Sequence, residues 1–227
     1  MSNYTMKRRQ KGFTLVEIAI VLVIIGLLLG GVLKGQELIN SAKVKNFATD
    51  FRNIPLYIYG YQDKYKALPG DDRAAEAHLG AGNNPAQGAN PPAGNGMIDG
   101  NWDSIDETHE SVIFWQHVRL AGLASGATVI PASLTANDAF FPTNADGGRI
   151  GIESGSSKFI SGLQGAYVVC SQGILGKFAK QLDVTMDDGV TNTGSMRTVT
   201  LTHTRLDPAP APNTIDDATA YTVCMGL

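Results

Sequence analysis

The chain begins with a basic stretch that leads directly into a long apolar run. Residues 13–33 form this run of 21 residues, and Glu17 is its one ionisable side chain. A helix of about 20 apolar residues spans the roughly 30 Å hydrocarbon core of a bilayer. The run therefore predicts a helix that crosses a membrane. Four positive charges precede it, at Lys7, Arg8, Arg9 and Lys11.

A secretory signal peptide is the alternative to a helix that stays with the product. The apolar region of a signal peptide is usually about 7–15 residues long and ends at a small-residue cleavage site. Here the run is longer, and no A-x-A pattern separates it from a following domain. By the positive-inside rule, residues 1–12 lie in the cytoplasm and the chain after about residue 35 lies across the membrane.

Glu17 is out of place in a simple membrane anchor. An ionised carboxylate costs about 2.5–3.5 kcal/mol at the centre of a membrane helix, and less near the interface. We therefore expect it to have a counter-charge. The alternative is that its side chain reaches the membrane interface, as long polar side chains do near helix ends.

The string KGFTLVEIAIVLVIIGLL, residues 11–28, closely resembles the N-terminus of type IV pilins and of type II secretion pseudopilins. In that family a prepilin peptidase cleaves after the glycine, the new N-terminal phenylalanine is methylated, and the glutamate guides assembly into a helical filament. The resemblance implies cleavage after Gly12, methylation of Phe13 and an assembly role for Glu17. Leaving one member of a buried charge pair unpaired costs about 3–5 kcal/mol. A pair between the Phe13 amine of one subunit and Glu17 of another would therefore fix the register of neighbouring subunits.

The resemblance also implies a location and a set of partners. It implies a single-pass protein of the bacterial inner membrane, with a cytoplasmic N-terminus and a periplasmic head, that then enters a pilus or pseudopilus. The implied partners are prepilin peptidase, other pilin or pseudopilin subunits, inner-membrane lipids and assembly platform proteins. One alternative is a minor subunit at the fibre tip whose head binds calcium or a surface ligand. Another is an exported enzyme on a simple anchor.

Helical periodicity continues beyond the membrane run. Apolar residues recur at three- to four-residue spacing, at Leu38, Ile39, Ala42, Phe47, Phe51 and Ile54. This spacing is typical of an amphipathic helix that packs one face on a globular head. Pro55 should kink the helix, which we expect to end near Lys66. The sequence thus predicts a leader at 1–12, a long helix at 13–66 and an exported head at 67–227.

Residues 70–107 are rich in Gly, Asn, Asp, Ala and Pro and predict a long loop, which in a compact domain is usually functional or disordered. Part of it resembles the middle of an EF-hand, but Pro91 and Trp102 stand where the loop's first and last acidic ligands would be. The alternative to a metal site is a solvated loop built on Asx turns. An irregular calcium site would use Asn95, Asp99, Asn101 and Asp103. We expect no other cofactor.

The rest of the head predicts an α+β fold, with the long N-terminal helix packed on an antiparallel sheet. Three β-branched and aromatic segments indicate strands, at 166–170, 197–203 and 218–224. Helices are expected at 110–123, opened by a capping box at 104–107, and at 174–183. His117 in the first of these helices is expected to be structural.

The two cysteines, Cys170 and Cys224, are an even count in an exported chain, which suggests a disulfide. Closing the intervening chain would stabilise the fold by about 4 kcal/mol on the chain-entropy model. Their placement also resembles the C-terminal disulfide loop of many pilins. The alternative is two free buried thiols, since the spacing fits no zinc pattern.

Composition and motifs argue against two other classes of function. The formal net charge is −3, and it becomes −7 once the four positive charges of residues 1–12 are removed. The exported part has no basic patch, so nucleic-acid binding is not indicated. The sequence lacks the G-x-S-x-G, P-loop and G-x-G-x-x-G motifs. We therefore predict a structural protein with no catalytic residues.

Overall fold

A computed structural model describes residues 12, 14–88, 92–155 and 159–227. The chain forms two compact units, Met1–Ala42 and Lys43–Leu227. The boundary falls inside the longest helix, α1, which covers Leu15–Tyr65. The predicted long helix is therefore present, and it ends where Lys66 takes a positive φ of 55°.

Within the larger unit, α1 buries one continuous face. Its buried residues are Val44, Phe47, Ala48, Phe51, Ile54, Ile58 and Tyr61. They recur every three or four residues, as expected for an amphipathic helix on a core. Leu38, Ile39 and Ala42 were also expected on this face, but all three are exposed and lie in the smaller unit, so that part of the prediction is wrong. The helix continues through Pro55.

In the described part of the chain, three shorter α-helices follow, α2 at Ala75–Leu79, α3 at Glu110–Leu120 and α4 at Gly176–Met186. The sequence predicts α3 and α4. Two single-turn 3-10 helices lie at Ala81–Asn83 and Pro212–Thr214. The capping box at 104–107 is wrong, because α3 begins at Glu110, six residues after Ser104, and its N-cap residue, His109, makes no side-chain cap. The Ser104 hydroxyl instead lies 2.7 Å from His109 Nδ1. After α3, Gly122 takes a positive φ of 77°, a common way to end a helix.

Four antiparallel strands form one sheet: β1 at Ile150–Ser154, β2 at Tyr167–Leu175, β3 at Met196–Thr200 and β4 at Ala220–Gly226. Their order across the sheet is β1-β2-β4-β3, so β4 lies between β2 and β3. A bulge interrupts β2 between Ser171 and Ile174. The α+β class and the antiparallel sheet are confirmed.

Among the strands of the described residues, β1 is the one that the sequence does not predict. Its five residues, IGIES, are all buried, including Glu153, so it lacks the alternation of apolar and polar residues that marks a half-exposed strand. Gly151 also lowers its strand propensity. The glycine is needed because a Cβ there would collide with the backbone carbonyl of Trp102.

Each face of the sheet carries its own apolar cluster. On one face, Val169 and Val223 pack in a cluster that also includes Phe47, Phe114 and Phe178 from helices α1, α3 and α4. On the other face, the cluster includes Trp102, Phe159, Ile160, Leu163, Val168, Cys170, Val199 and Cys224. Successive residues of a strand point to opposite faces, so β2 and β4 supply both clusters.

Candidate functional site

The side chains of Thr14 and Glu17 hold the first turn of α1. The backbone N–H and the hydroxyl of Thr14 donate to Glu17 Oε2 at 2.7 and 2.8 Å. The Glu17 N–H donates back to the Thr14 hydroxyl at 3.3 Å. This arrangement is a capping box, which satisfies donors at the helix start. The resemblance implies only an assembly role for Glu17, whereas the Thr-x-x-Glu spacing is also that of a capping box.

Around this turn, the cleavage junction is only partly described. Gly12 and Glu17 are both exposed. Phe13 lies outside the described residues, so cleavage before it and methylation of its amine stay predictions. The Glu17 carboxylate is therefore anchored to its own helix and open to its surroundings.

The N-terminal half of α1 presents a continuous apolar surface. Every large apolar side chain from Leu15 to Leu33 is exposed, from 45% at Ile25 to 88% at Leu15. Soluble proteins rarely expose an apolar patch of this size without a partner or a membrane to cover it. Within the described part of the chain, α1 is the one helix that length and composition make able to cross a membrane.

Four glycines break up this apolar surface. Gly26 and Gly30 form one G-x-x-x-G pair, and Gly31 and Gly35 form another. No described atom outside the local helix lies within 4 Å of where a Cβ would stand at any of them. Small residues at this spacing let two helix backbones approach closely. The helix is continuous through all four.

Residues 7–33 match the family model of the prokaryotic N-terminal methylation motif. The chain carries a prepilin-type N-terminal segment. This prepilin-type segment comprises the basic stretch, the junction at Gly12 and the exposed apolar part of α1. No curated protein and no solved structure gives a match to the chain. The assignment therefore depends on the N-terminal segment and not on the head.

The prepilin-type segment has direct implications for partners and location. It implies processing by a prepilin peptidase and assembly with other pilin subunits. Together with the apolar helix it supports anchoring in a membrane and a place in a pilus or pseudopilus. It also indicates a structural protein.

In the head, Cys170 and Cys224 form a disulfide. The two residues lie directly opposite each other on β2 and β4, with their Cα atoms 4.1 Å apart. Both side chains are fully buried in the cluster that contains Trp102. The bond therefore joins the two central strands inside the core, and the pairing expected from the sequence is present.

The four residues of the predicted calcium site have protein partners of their own. Asn95 Nδ2 donates to Asp99 Oδ2 at 2.7 Å. The Asn101 carbonyl accepts a hydrogen bond from a serine hydroxyl. The Arg149 guanidinium donates to the Asp103 carbonyl at 3.1 Å, which brings a positive charge beside that residue. Calcium binding by this loop stays a prediction.

A buried aspartate organises the same loop. The Asp71 carboxylate accepts hydrogen bonds from the backbone N–H groups of Gly94, Asn95 and Gly96. Asp71 is only 4% exposed. Three donors satisfy its charge, so this carboxylate acts as a fold-building anchor for the loop. Nothing in its sequence context, an isolated Asp-Asp pair after a Pro-Gly turn, distinguishes it from a surface acid.

Glu110, at the start of α3, is a buried acid beside that anchor. Its Oε2 accepts from the Asp99 N–H at 2.9 Å, and its Oε1 has no hydrogen-bond partner among the described residues. Burial, with the nearby charges of Asp71 and Asp99, raises the pKa of Glu110 to about 8. The side chain is therefore protonated at neutral pH.

The histidine in α3 is structural, as the sequence predicts. His117 Nδ1 accepts from the Gly70 N–H at 3.0 Å, and Nε2 lies 2.8 Å from the Ala86 carbonyl. The first contact makes Nδ1 the acceptor and Nε2 the protonated nitrogen. Burial lowers the pKa of His117, which keeps the ring neutral. It ties two segments of the loop to the helix.

Proposed function

We propose that the chain is a structural subunit of a type IV pilus or of a type II secretion pseudopilus. The observation that carries the proposal is the methylation motif at residues 7–33, which includes the apolar start of α1, where every large apolar side chain from Leu15 to Leu33 is exposed. A soluble domain has no use for this surface. In a membrane, lipid covers this apolar surface, and in a fibre the same surface packs against the helices of neighbouring subunits.

The processing step follows from the junction at Gly12. The positive charges before Gly12 hold the leader in the cytoplasm, where the peptidase cleaves between Gly12 and Phe13. Cleavage turns the Phe13 amide nitrogen into a free amine, which is then methylated. One step therefore removes the charges that fix the leader and creates a new positive charge at the start of α1.

Assembly then pairs opposite charges between subunits. The amine of Phe13 lies near Glu17 of a neighbouring subunit, inside a sheath of apolar helices. Leaving either charge unpaired in such surroundings costs about 3–5 kcal/mol. A subunit placed in the wrong register along the fibre is less stable by this amount, so the charge pair selects the correct register.

The test separates processing from assembly. We expect mass spectrometry of the membrane-bound and fibre-bound protein to find N-methylated phenylalanine at position 13. We expect Glu17→Ala and Glu17→Gln to be processed at the normal level but reduced at least tenfold in sheared fibres. Glu17→Gln keeps an oxygen that can accept the Thr14 hydrogen bonds, so its failure would identify the charge as the essential property.

Glu37→Gln is the matched control. Glu37 is an exposed glutamate on the same helix, paired with Lys34 at 2.6 Å. Its loss should leave fibre yield unchanged. An intact leader on the membrane-bound protein, or normal fibres from both Glu17 variants, would overturn the proposal.

A further inference from the structure

Helices α1 and α3 line a cavity in the larger unit. Its volume is about 130 Å³. A cavity of about 150 Å³ in another protein holds benzene, so this one has room for a ligand of about six non-hydrogen atoms. Four of its lining side chains are charged or carry a donor on an aromatic ring: Asp50 and Tyr57 on α1, and Trp115 and Arg119 on α3.

Asp50 is the acidic group of this cavity. Its side chain is half-buried, and within the described part of the chain its carboxylate makes no hydrogen bond and no ion pair. Burial raises the pKa of Asp50 to about 6, so the carboxylate is largely ionised at neutral pH. Burial and the charge of Asp50 raise the pKa of Tyr57, so these two side chains lie close together. A half-buried carboxylate without a counter-charge favours a cationic ligand.

Arg119 supplies the opposite charge. It is 8% exposed, and no carboxylate among the described residues forms an ion pair with it. Its Nε and Nη1 donate to the carbonyls of Ser125 and Ala127 at 3.3 and 3.0 Å. These bonds hold the guanidinium in place and leave Nη2 for another acceptor. A buried cation without a carboxylate is costly, so this one favours an anionic ligand.

Trp115 adds a hydrogen-bond donor near Arg119. The two residues are four positions apart on α3, and the guanidinium carbon of Arg119 lies 6.0 Å from the centre of the indole ring. Trp115 is 3% exposed, and its Nε1–H is buried without an acceptor among the described residues. An unpaired buried donor is destabilising, and an acceptor supplied by a ligand removes that cost. The α3 side of the cavity therefore offers a charge and a donor to one anionic group.

We propose that this cavity binds a free amino acid with a small side chain. The ammonium group of the ligand pairs with Asp50, and its carboxylate accepts from Arg119 and Trp115. Asp50 and Arg119 line one cavity without pairing with each other, so each needs a partner of its own. A ligand with a single charge leaves one of them unpaired, whereas a zwitterion pairs with both.

The remaining lining residues suit the side chain of such a ligand. They include three apolar residues, Ile54, Pro142 and Ile150. Binding sites for small molecules commonly combine apolar walls with a few polar groups that fix the orientation of the ligand. The volume of the cavity limits the ligand to a small amino acid such as alanine.

The experiment uses the full chain in detergent, titrated at pH 7.5 with L-alanine and followed by saturation-transfer NMR. We expect saturable binding with a Kd of about 1 mM, which is reasonable for a ligand of this size. Sodium acetate carries only the carboxylate, and ethylammonium chloride carries only the ammonium group. Each of these two probes should bind at least tenfold more weakly than L-alanine.

Asp50→Asn should weaken L-alanine binding at least tenfold. Without ligand it should melt no lower than the wild type, because the Asp50 carboxylate has no described partner to lose. Trp115→Phe keeps an aromatic ring and removes the N–H donor, so it should weaken binding several-fold. Asp63→Asn is the matched control, because Asp63 is an exposed aspartate on the same helix and does not line the cavity. It should bind L-alanine as the wild type does.

Three results would each overturn the proposal. They are no saturable binding of L-alanine by the wild type, wild-type binding by Asp50→Asn, and acetate or ethylammonium binding as tight as that of L-alanine. The last result would mean that the cavity recognises a single charge. Fibre yield is not a readout of this experiment, so the amino-acid site and the proposed role in a fibre stand or fall separately.

Discussion

Glu110 shows how one buried side chain can make the stability of the head depend on pH. It is 1% exposed and lies beside Asp71 and Asp99. Its pKa is raised from 4.5 to about 8 in the folded protein. Between these values the folded chain holds a proton that the unfolded chain has lost. Stability contributed by Glu110 is therefore complete below about pH 4.5 and is lost as the pH rises towards 8.

We expect Glu110→Gln to remove this dependence. Glutamine resembles the protonated acid in shape and can still accept from the Asp99 N–H. Urea unfolding at a series of pH values should give a free energy of unfolding that falls more steeply for the wild type, by up to about 1.4 kcal/mol per pH unit between pH 5 and 8. The two proteins differ only at position 110, so the difference between their curves reports the Glu110 carboxyl. Parallel curves would contradict the prediction.

Glu17 caps the start of its own helix in the single chain, before any partner subunit is present. Its carboxylate accepts two hydrogen bonds from Thr14, which hold it at the start of α1. A carboxylate oxygen has spare lone pairs, so it can accept a charged amine as well. The one carboxylate therefore caps the start of α1 and, in the proposed fibre, also pairs with the Phe13 amine of a neighbouring subunit.

At the scale of elements, the disulfide between β2 and β4 is the strongest local link in the sheet. Cys170 and Cys224 are 54 positions apart in sequence and fully buried. On the chain-entropy model a loop of this length gives about 4 kcal/mol.

We expect the double variant Cys170→Ala, Cys224→Ala to lose about that much free energy of unfolding relative to the oxidised wild type. Urea titration of both proteins measures it. Reduction of the wild type with dithiothreitol in urea is the control, and it should lower stability by a similar amount. A loss below about 1 kcal/mol in both experiments would show that strand packing alone holds the two strands.

Element prediction succeeded where hydrophobic periodicity was strong. The pattern from Phe47 to Ile54 predicted the buried face of α1, and β-branched residues predicted β2, β3 and β4. It failed for β1, because burial on both faces removes the alternation. It failed for the start of α3, because the Ser104–Glu107 spacing matches a capping box while the chain places a turn there.

At the scale of the whole molecule, the two units set a boundary for truncation. Lys43–Leu227 is compact by itself and contains the whole buried face of α1. A fragment that begins at Lys43 should therefore unfold cooperatively, with core packing like that of the full chain. Circular dichroism and urea titration of the soluble fragment test this.

A fragment that begins at Ala67 is the contrasting case. It lacks Phe47, Phe51 and Ile54, which are all buried in the core. Each such loss costs about 2–5 kcal/mol, so the three together cost about as much as the 5–15 kcal/mol that holds a typical domain. We expect this fragment to be unfolded. Cooperative unfolding of the shorter fragment would mean that α1 is an appendage and that its buried face contributes little.

The sequence by itself determined the prepilin-type segment of this protein. This segment consists of features that are adjacent in the chain: the basic leader, the glycine junction, the apolar run and Glu17. Its role can therefore be predicted from local sequence, without knowledge of the fold. The tertiary structure decided the chemistry of the head, because its groups meet only through folding. Asp71 and Glu110 are 39 positions apart in sequence, yet the fold brings them close enough for the charge of Asp71 to raise the pKa of Glu110. The Asp71 and Asp183 carboxylates differ from a surface aspartate in being buried, and burial is a property of the fold.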